Sequence, residues 1–316
     1  MAITTTSFLP PAVAQSYSQK MLSVKTPNNI HNIAAVPKMM PRNGGTDLRM
    51  RRPNPLLTSL VPLGNSGEPV PAQLLTAVDI DAKISFYGSF VILNEQVVLQ
   101  NQDPVLNIAA ERLGVAMRQT EDELTRNMLA STASAVNCVG GLNGDNPTEL
   151  SASDVSDFTT ALLGNDAFMI MDNIEGENKF ATAPVRNAFF AMCHTNVIKS
   201  MENVNGFLNI ANYSSPTNAL RSEWGTIGNI RFLVSSIGSI TKNASNLGND
   251  VYNILIMGME AYANVKQDGY SNTFIYRPPV FSDALAQNAT VGYKMGMCPR
   301  ILNDLWILNG RATLAI

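Results

Sequence analysis

The sequence predicts an elongated α+β protein. A helical pattern extends from Asp103 to about Ala135, and a strand pattern of sixteen residues, VDIDAKISFYGSFVIL, begins at Val78. At about 1.5 Å per helical residue and 3.3 Å per strand residue, each element would be roughly 50 Å long. Elsewhere helices and strands do not alternate regularly, which argues against a βαβ architecture.

Residues 1–42 carry no periodic pattern of apolar side chains. They contain five prolines and many Ser, Thr and Asn residues. Such a segment cannot bury enough apolar surface to offset its ordering entropy. We therefore expect an arm that binds adjacent subunits, and its expected anchors are Phe8, Tyr17 and Leu22. Deleting residues 1–35 should then leave the subunit folded.

A projecting hairpin is predicted after the arm. Leu48 and Met50 alternate with arginines until Pro53, and a Gly- and Pro-rich stretch at 61–73 separates this strand from the long one. From Val78 to Ile92 every second residue is apolar or glycine, which is typical of a strand with one apolar face. We expect the basic residues of the hairpin to pair with carboxylates on a neighbouring subunit; they are Arg49, Arg51 and Arg52.

The long helix shows a start signal and one continuous stripe. Asp103 is a suitable N-cap, and Pro104 fits the first helical position. The stripe recurs at spacings of three and four residues and comprises Leu106, Ala109, Leu113, Met117, Thr120, Leu124 and Met128. The acidic residues 121–123 lie between Arg118 and Arg126, so we expect a solvated, salt-bridged face there instead of a metal site.

The second half of the chain predicts short, mixed elements. A loop at 140–154 is followed by a helix to about Leu163, capped by Ser151 or Ser153. The pattern favours a helix at 184–204, a strand at 230–236, and a strand running into a helix at 251–265. Two or more strands are predicted in the C-terminal part.

Composition restricts the class of protein. Charged residues make up 15% of the chain, below the usual ~25%. This favours either a surface covered by partners or a large core under a Ser/Thr/Asn-rich surface, and both remain open. With a net charge of −3, the chain has no overall electrostatic footprint for nucleic acid, and its apolar runs are too short for a membrane span.

The N-terminal sequence and the cysteine spacing lead us to expect synthesis in a cytoplasm. The N-terminus lacks a basic region before its short apolar stretch and so makes a poor signal peptide. The three cysteines are widely spaced, which argues against a disulfide framework and a zinc site.

No catalytic motif is present in the sequence. Cys193 and His194 are adjacent, and a nucleophile pair requires side chains that meet, so a core or capping histidine is the favoured interpretation. We predict no catalytic, cofactor-binding or metal-binding residue.

The order of arm, hairpin, long helix and mixed domain resembles the major capsid proteins of tailed bacteriophages, which have the Hong Kong-97-like fold. The segments ISFYGSFVILNE and DPVLNIAAERLGVAMRQTEDELTRNML are similar to the podovirus N-four type of this family. The matching positions are Tyr87, Gly88, Asp103, Pro104, Leu106, Thr120, Asp122, Arg126, Glu223, Gly225, Arg231, Gly258, Ala261, Tyr262, Asp283, Leu285, Gln287, Gly292, Lys294, Leu302, Asn303 and Trp306. Thr195 and Ala284 depart from the family pattern.

The resemblance implies a division of the chain: an N-terminal arm at 1–43, an E-loop hairpin at 44–77, and a P-domain strand and spine helix at 78–137. An A-domain with an intervening P-domain strand follows at 138–270, and C-terminal strands return to the P-domain at 271–316.

The resemblance also implies a function. The expected protein forms hexamers and pentamers of an icosahedral virion shell around double-stranded DNA. Its expected partners are itself, a portal, and scaffolding or decoration proteins, without a cofactor or a membrane. The alternatives are an encapsulin-like nanocompartment shell and a soluble α+β enzyme that uses Cys193 and His194.

Overall fold

The computed structural model describes residues 27–60, 72–100, 105–132, 134–170, 187–213, 219–269, 273–278 and 287–314. The predicted arm anchors Phe8, Tyr17 and Leu22 lie outside the described residues, as do the helix-start residues Asp103 and Pro104.

The described residues form fifteen strands and four α-helices. The strands are Val36–Met40 (β1), Asp47–Pro53 (β2), Ala77–Lys83 (β3), Ser85–Asn94 (β4), Ala135–Asn137 (β5), Phe189–His194 (β6), Phe207–Asn209 (β7), Glu223–Ile227 (β8), Ile230–Ser235 (β9), Ile240–Thr241 (β10), Val251–Met257 (β11), Tyr262–Gln267 (β12), Thr273–Arg277 (β13), Asn288–Ile301 (β14) and Ile307–Ala312 (β15). The helices are Glu95–Gln100 (α1), Val105–Ala130 (α2), Ala152–Gly164 (α3) and Ile198–Glu202 (α4).

Strand β14 is the centre of the first sheet. One edge of β14 pairs with β4 along all ten residues of β4, and the other edge pairs with β13 and β12. β1 adds to β12 in parallel. Because side chains alternate along a strand, the odd-numbered residues of β14 from 289 to 297 share one face, and all of them are buried. The cluster on that face includes Leu113 and Met117 of α2.

The register predicted for the long helix is therefore confirmed. Leu113 and Met117 are each 5% exposed, whereas Glu111 is exposed. The predicted C-terminal extent is wrong: α2 ends at Ala130, and β5 begins at Ala135. After the helix, the hydroxyl of Ser131 donates to the Met128 carbonyl. Residues 135–137 then pair in parallel with β15 and form a strand instead of continuing the helix.

The second sheet has the order β5-β15-β11-β6-β9-β8-β7, with β10 on the edge of β11. Nearly every residue of β6, β9 and β11 is buried, which is typical of strands covered on both faces. Phe158 and Leu162 of α3 lie in the cluster on one face. The cluster on the other face contains Leu129 at the end of α2.

Two helices predicted in this half of the chain are wrong over part of their length, where the structure has strands. The segment 184–204 contains β6 followed by a 3₁₀ turn and the short α4, and the end of 251–265 forms β12. β6 lies between β9 and β11, and β12 lies between β1 and β14. Neighbouring strands on both sides decide the conformation, which a local pattern cannot report. Strand β9 and the helix α3 with its Ser151 cap are confirmed.

The end of the predicted arm belongs to the core of this chain. Ile30 and His31 are fully buried, and Val36–Met40 is a sheet strand. The expectation that the subunit core loses little when the arm is removed is therefore wrong for residues 30–40, which include the buried Ile30, His31 and Met40. The apolar partners of Ile30 include Leu129 and Tyr262, which are far away in sequence.

Candidate assembly surfaces

Within the hairpin β2–β3, two arginines form ion pairs with aspartates of the opposite strand. Arg49 donates two hydrogen bonds to Asp81, and Arg51 donates two to Asp79. These bonds hold the pKa values of both carboxyl groups below their usual range. Arg52 instead donates to the Leu302 carbonyl at 3.1 Å, near the end of the paired strands that leads to the tip. Pairing of these arginines with a neighbouring subunit remains a prediction.

Beyond the paired strands, the hairpin exposes leucines. The exposed residues are Leu56, Leu57, Leu60, Leu74 and Leu75, and the most exposed of them, Leu60, has 90% of its surface accessible. The tip itself, 61–71, lies outside the described residues. Several exposed leucines on one projection form an apolar surface of the kind that binds a partner.

Strand β4 is partly covered on one face and exposed on the other. On the odd-numbered face, Leu93 is buried and Tyr87 half-buried against α2, whereas Val91 is exposed. The even-numbered residues Phe86, Phe90 and Ile92 point the other way and are 63%, 66% and 58% exposed. The apolar alternation predicted from the sequence is present, but helix α2 packs on the opposite face, against Tyr87 and Leu93.

Glycines of β14 lie opposite the exposed aromatic residues. Gly292 pairs with Phe90, and Gly296 pairs with Phe86. A Cβ added to Gly296 would come within 2.8 Å of the Phe86 ring, so only glycine allows the ring to lie this close. The result is an open groove of about 690 Å³ whose lining includes Phe90, Ile275 and Gly292.

Two loops are joined by the carboxylate of Asp145. It accepts hydrogen bonds from the backbone N–H of Asn146 and Leu247 and from the Asn249 side chain. Burial raises the pKa of Asp145, but these bonds and one from Ser245 outweigh burial and lower it to about 2. The joined loops present Leu142, 96% exposed, and Leu247, 66% exposed. These two leucines are further exposed apolar side chains, on loops held together by Asp145.

We expect Asp145→Asn to weaken the acid dependence of stability. The folded-state pKa is lower than the unfolded value, so the carboxylate stabilises the fold above about pH 4, and this contribution is lost as the pH falls towards 2. The variant should be less stable than wild type at pH 7 and should lose less of its Tm between pH 4 and pH 2. Circular dichroism melts check this, with Asp157→Asn on the exposed face of α3 as the matched charge change. Equal acid dependence in Asp145→Asn and wild type would contradict it.

The base of the arm is joined to α2 by a buried, hydrogen-bonded pair of side chains, His31 and Asp122. The backbone N–H of His31 donates to Asp122 Oδ1 at 2.8 Å, and His31 Nδ1 lies 2.6 Å from Asp122 Oδ2. Both side chains are fully buried, and the hydroxyl of Tyr262 donates to the His31 carbonyl. The predicted solvated acidic face is therefore wrong at Asp122, because a partner 91 residues earlier covers it.

The neighbouring charges on α2 also bond to other elements. Glu121 forms an ion pair with Lys266 of β12 at 2.5 Å, and Arg126 donates to the Ile237 carbonyl at 2.7 Å. The i,i+4 pairing predicted along the helix is thus replaced by contacts with the second half of the chain. Thr120 contacts the hydroxyl of Tyr293 at 3.2 Å.

A buried ion pair lies in the second sheet. Arg231 of β9 donates two hydrogen bonds to Glu223 of β8, at 2.9 and 2.5 Å, and the Tyr213 hydroxyl donates to the same carboxylate. Leu220 adds a backbone N–H. The matched family positions Glu223 and Arg231 therefore form a structural clamp between strands.

Cys193 and His194 do not form a nucleophile pair. Consecutive residues of a strand point to opposite faces, so the two side chains diverge. Cys193 lies in the core, and burial raises the pKa of its thiol to about 12. His194 Nδ1 accepts a hydrogen bond from the backbone of Asn196, and partial burial lowers the His194 pKa. The predicted capping role is the one the geometry fits.

Among the described residues, no group of three His, Cys, Asp or Glu side chains is placed to hold a metal ion. None of the described helices combines the length and apolar character needed to cross a bilayer.

Similar structures come from phage capsids. The capsid of Ralstonia phage GP4 matches with a TM-score of 0.70 and 12% identity, covering 100% of this chain and 99% of that chain. The head structure of Helicobacter pylori bacteriophage KHP40 matches at 0.68 and 9% identity, covering 100% and 98%. The capsid of the cyanophage P-SCSP1u matches at 0.66 and 11% identity, covering 96% and 94%. No protein-family profile and no curated protein sequence matches the chain.

These matches run over nearly the whole length of both chains, so the likeness covers the whole fold and not one shared domain. The chain has the Hong Kong-97-like capsid fold, as its sequence predicted. At this level of identity the comparison establishes the fold alone.

The sequence did not reveal the even-numbered face of β4 as an exposed surface or His31 as a buried anchor. The exposed face of β4 had a signal in the sequence, because Phe86, Phe90 and Ile92 all lie at even-numbered positions of one strand pattern. His31 had no such signal, because a single histidine in a Pro- and Asn-rich segment indicates no partner.

Proposed function

We propose that this chain is the structural major capsid protein of a tailed bacteriophage and assembles into hexamers and pentamers of an icosahedral head. The observation that carries the proposal is a capsid fold whose described residues include several groups of exposed apolar side chains. These are the hairpin leucines, the even-numbered face of β4 and the tips of the joined loops. A shell buries such surfaces between copies, and repeated weak contacts become effectively intramolecular once neighbours are in place.

The hairpin is the proposed contact between neighbours. Its exposed leucines lie beyond the paired strands, which are held near the tip by Arg52 and at the base by a small cluster around Ile84. Paired strands held at both ends below an apolar extension suit binding across a neighbouring subunit. The division into arm, E-loop, P-domain and A-domain, and the N-four type of the family, belong to this proposal.

The proposed partners follow from the same role. The interior of the shell holds double-stranded DNA without specific recognition, and a net charge of −3 suits weak contact during packaging and release. A portal and scaffolding or decoration proteins complete the particle. The protein is made in the bacterial cytoplasm and acts in the virion, in a structural and not a catalytic role.

Assembly of the purified chain tests the proposal. We expect expressed protein to sediment as closed particles and to show icosahedral symmetry by electron microscopy. Particles formed with the phage packaging proteins should contain DNA. Empty or enzyme-filled particles from the native source would favour an encapsulin-like shell, and a stable small oligomer would overturn the proposal.

The arginines of the hairpin give a more local test. We expect replacement of Arg49, Arg51 and Arg52 by Ala to lower the heat stability of particles more than that of subunits. Within the subunit, exposed ion pairs contribute at most about 1 kcal/mol each, whereas the shell repeats each contact many times. The temperature of DNA release from particles is compared with the Tm of the free subunit.

A suitable control is Arg277→Ala on the exposed strand β13. If the triple variant released DNA at the wild-type temperature, the hairpin arginines would have no role between subunits.

A further inference from the structure

The edge of β4 that faces away from β14 is an interaction surface. In the part of the chain that the structure describes, β4 pairs with β14 alone. Its sequence, SFYGSFVILN, contains no charged residue and no proline, and its pairing with β14 runs in one register without a bulge. Edge strands of monomeric proteins are normally protected by charges, prolines or bulges, because an open edge pairs with other strands. β4 has none of these protections.

The hydrogen-bonding groups at this edge can be assigned. The backbone N–H of Glu95 donates to the Gln287 carbonyl, and this pair continues the β4–β14 register. In an antiparallel ladder, alternate pairs are hydrogen-bonded, so odd-numbered residues of β4 direct their backbone groups to β14. The backbone groups of Gly88, Phe90 and Ile92 therefore point away from β14, towards the open edge.

The length of the open edge is limited at both ends. The Ile84 N–H donates to the Thr46 carbonyl, so β2 occupies the same edge of the continuous β3–β4 strand up to residue 84. At the other end α1 begins at Glu95. Between these limits, the residues whose backbone groups face the open edge are Gly88, Phe90 and Ile92. The window for another strand is taken as 88–92, and its central residue is Phe90.

We propose that the open edge of β4 pairs with the same edge of a second copy of this chain, antiparallel, around a two-fold axis at Phe90. This inference rests on the proposed self-assembly and specifies one of its contacts. Two windows of equal length overlap fully only when Phe90 lies opposite Phe90 of the second copy. Gly88 of each copy then lies opposite Ile92 of the other, a small residue against a large one.

The charge and shape of the β4 edge favour a second copy of this chain as its partner. Strands with no charge in the window can meet across a two-fold axis without like-charge repulsion, which a charged edge could not do. The pairing also joins the exposed Phe90 and Ile92 side chains of both copies into one apolar face. Cross-strand aromatic pairs are among the favourable pairs in sheets.

The helices leave room for this pairing. Helix α2 packs mainly on β14, whose buried residues dominate their common cluster. In the joined sheet, β14 and its copy are separated by three strand spacings, roughly 14 Å, whereas packed helices need only about 8–10 Å between their axes. The two α2 helices therefore do not collide.

Cysteine cross-linking in assembled particles tests the register. We expect Phe90→Cys to give a covalent dimer on mild oxidation with copper phenanthroline, because directly opposite, hydrogen-bonded residues have Cα atoms about 5.5 Å apart, within disulfide range. The matched control is Ile92→Cys, which lies on the same face and is similarly exposed. Its two copies would be roughly 13 Å apart along the strands and should not cross-link. Wild-type particles give the background from Cys298, which is partly exposed.

The outcomes separate the two proposals. Particles that assemble without a Phe90→Cys dimer, or with Ile92→Cys cross-linking as readily, would overturn the β4 pairing and leave the capsid function standing. That result is also expected if the hairpin or the N-terminal segment of another copy occupies the edge. Failure of the wild-type chain to form particles at all would overturn the capsid function itself.

A charge-exchange experiment gives a second measurement. Phe90→Lys alone and Phe90→Glu alone each place like charges face to face at the axis, so each should reduce the yield of sedimenting particles about tenfold. Mixing the two subunits should restore the yield, because opposite charges then meet. Full assembly by either variant alone would contradict the proposed axis.

Discussion

Leu113→Asp is expected to abolish folding of the subunit. Leu113 is 5% exposed and lies between α2 and the first sheet, in a cluster with Met117 and Met295. An aspartate there would bury a carboxylate without a partner, at a cost of several kcal/mol. That cost is comparable with the total stability of a typical domain, about 5–15 kcal/mol.

The measurement is the soluble yield and the cooperative melt by circular dichroism. Glu111→Gln on the exposed side of the same helix is the matched control and should melt like wild type. A soluble Leu113→Asp chain with a sharp melt would show that the helix does not use this register in solution.

Deletion of residues 1–35 is expected to unfold the subunit, whereas deletion of residues 1–26 leaves every described contact in place. The longer deletion removes both hydrogen bonds from His31 to Asp122. The carboxylate is then buried without a partner, and breaking a buried pair in this way costs about 3–5 kcal/mol. The deletion also removes Ile30, which is fully buried in the cluster around Leu129.

Comparison of the two truncations separates the anchor from the rest of the arm. Circular dichroism melts report the subunit, and sedimentation reports its assembly. The 27–316 chain should melt close to wild type and fail to close stable shells, as proposed for the arm. A 36–316 chain with a wild-type Tm would show that His31 and Ile30 contribute nothing to the core.

His31 illustrates why local patterns miss such anchors. The sequence places it among prolines and asparagines with no periodic apolar residues, and that environment predicts a segment without a core. Its burial depends on Asp122 and Tyr262, which lie 91 and 231 residues further along the chain. Only a structure brings these residues together.

The strands of the second sheet show the same limit for secondary structure. The residues of β6 fit a helix or a buried strand equally well, because a continuous apolar run has no decisive period. Their place between β9 and β11 supplies hydrogen-bond partners on both edges and decides the strand. Helix α3 was predictable because its Ser151 cap and capping box are local signals.

What the sequence by itself determined about this protein is the set of elements whose signals are local and long. These are the buried stripe of α2, the alternation along β3 and β4, the capped helix α3 and the α+β class. The tertiary structure decided which face of β4 is covered, where His31 and the charges of α2 find partners, and which apolar segments become strands. The physical reason is that burial and pairing depend on residues distant in the chain, whereas periodicity and capping depend on neighbours within a few turns.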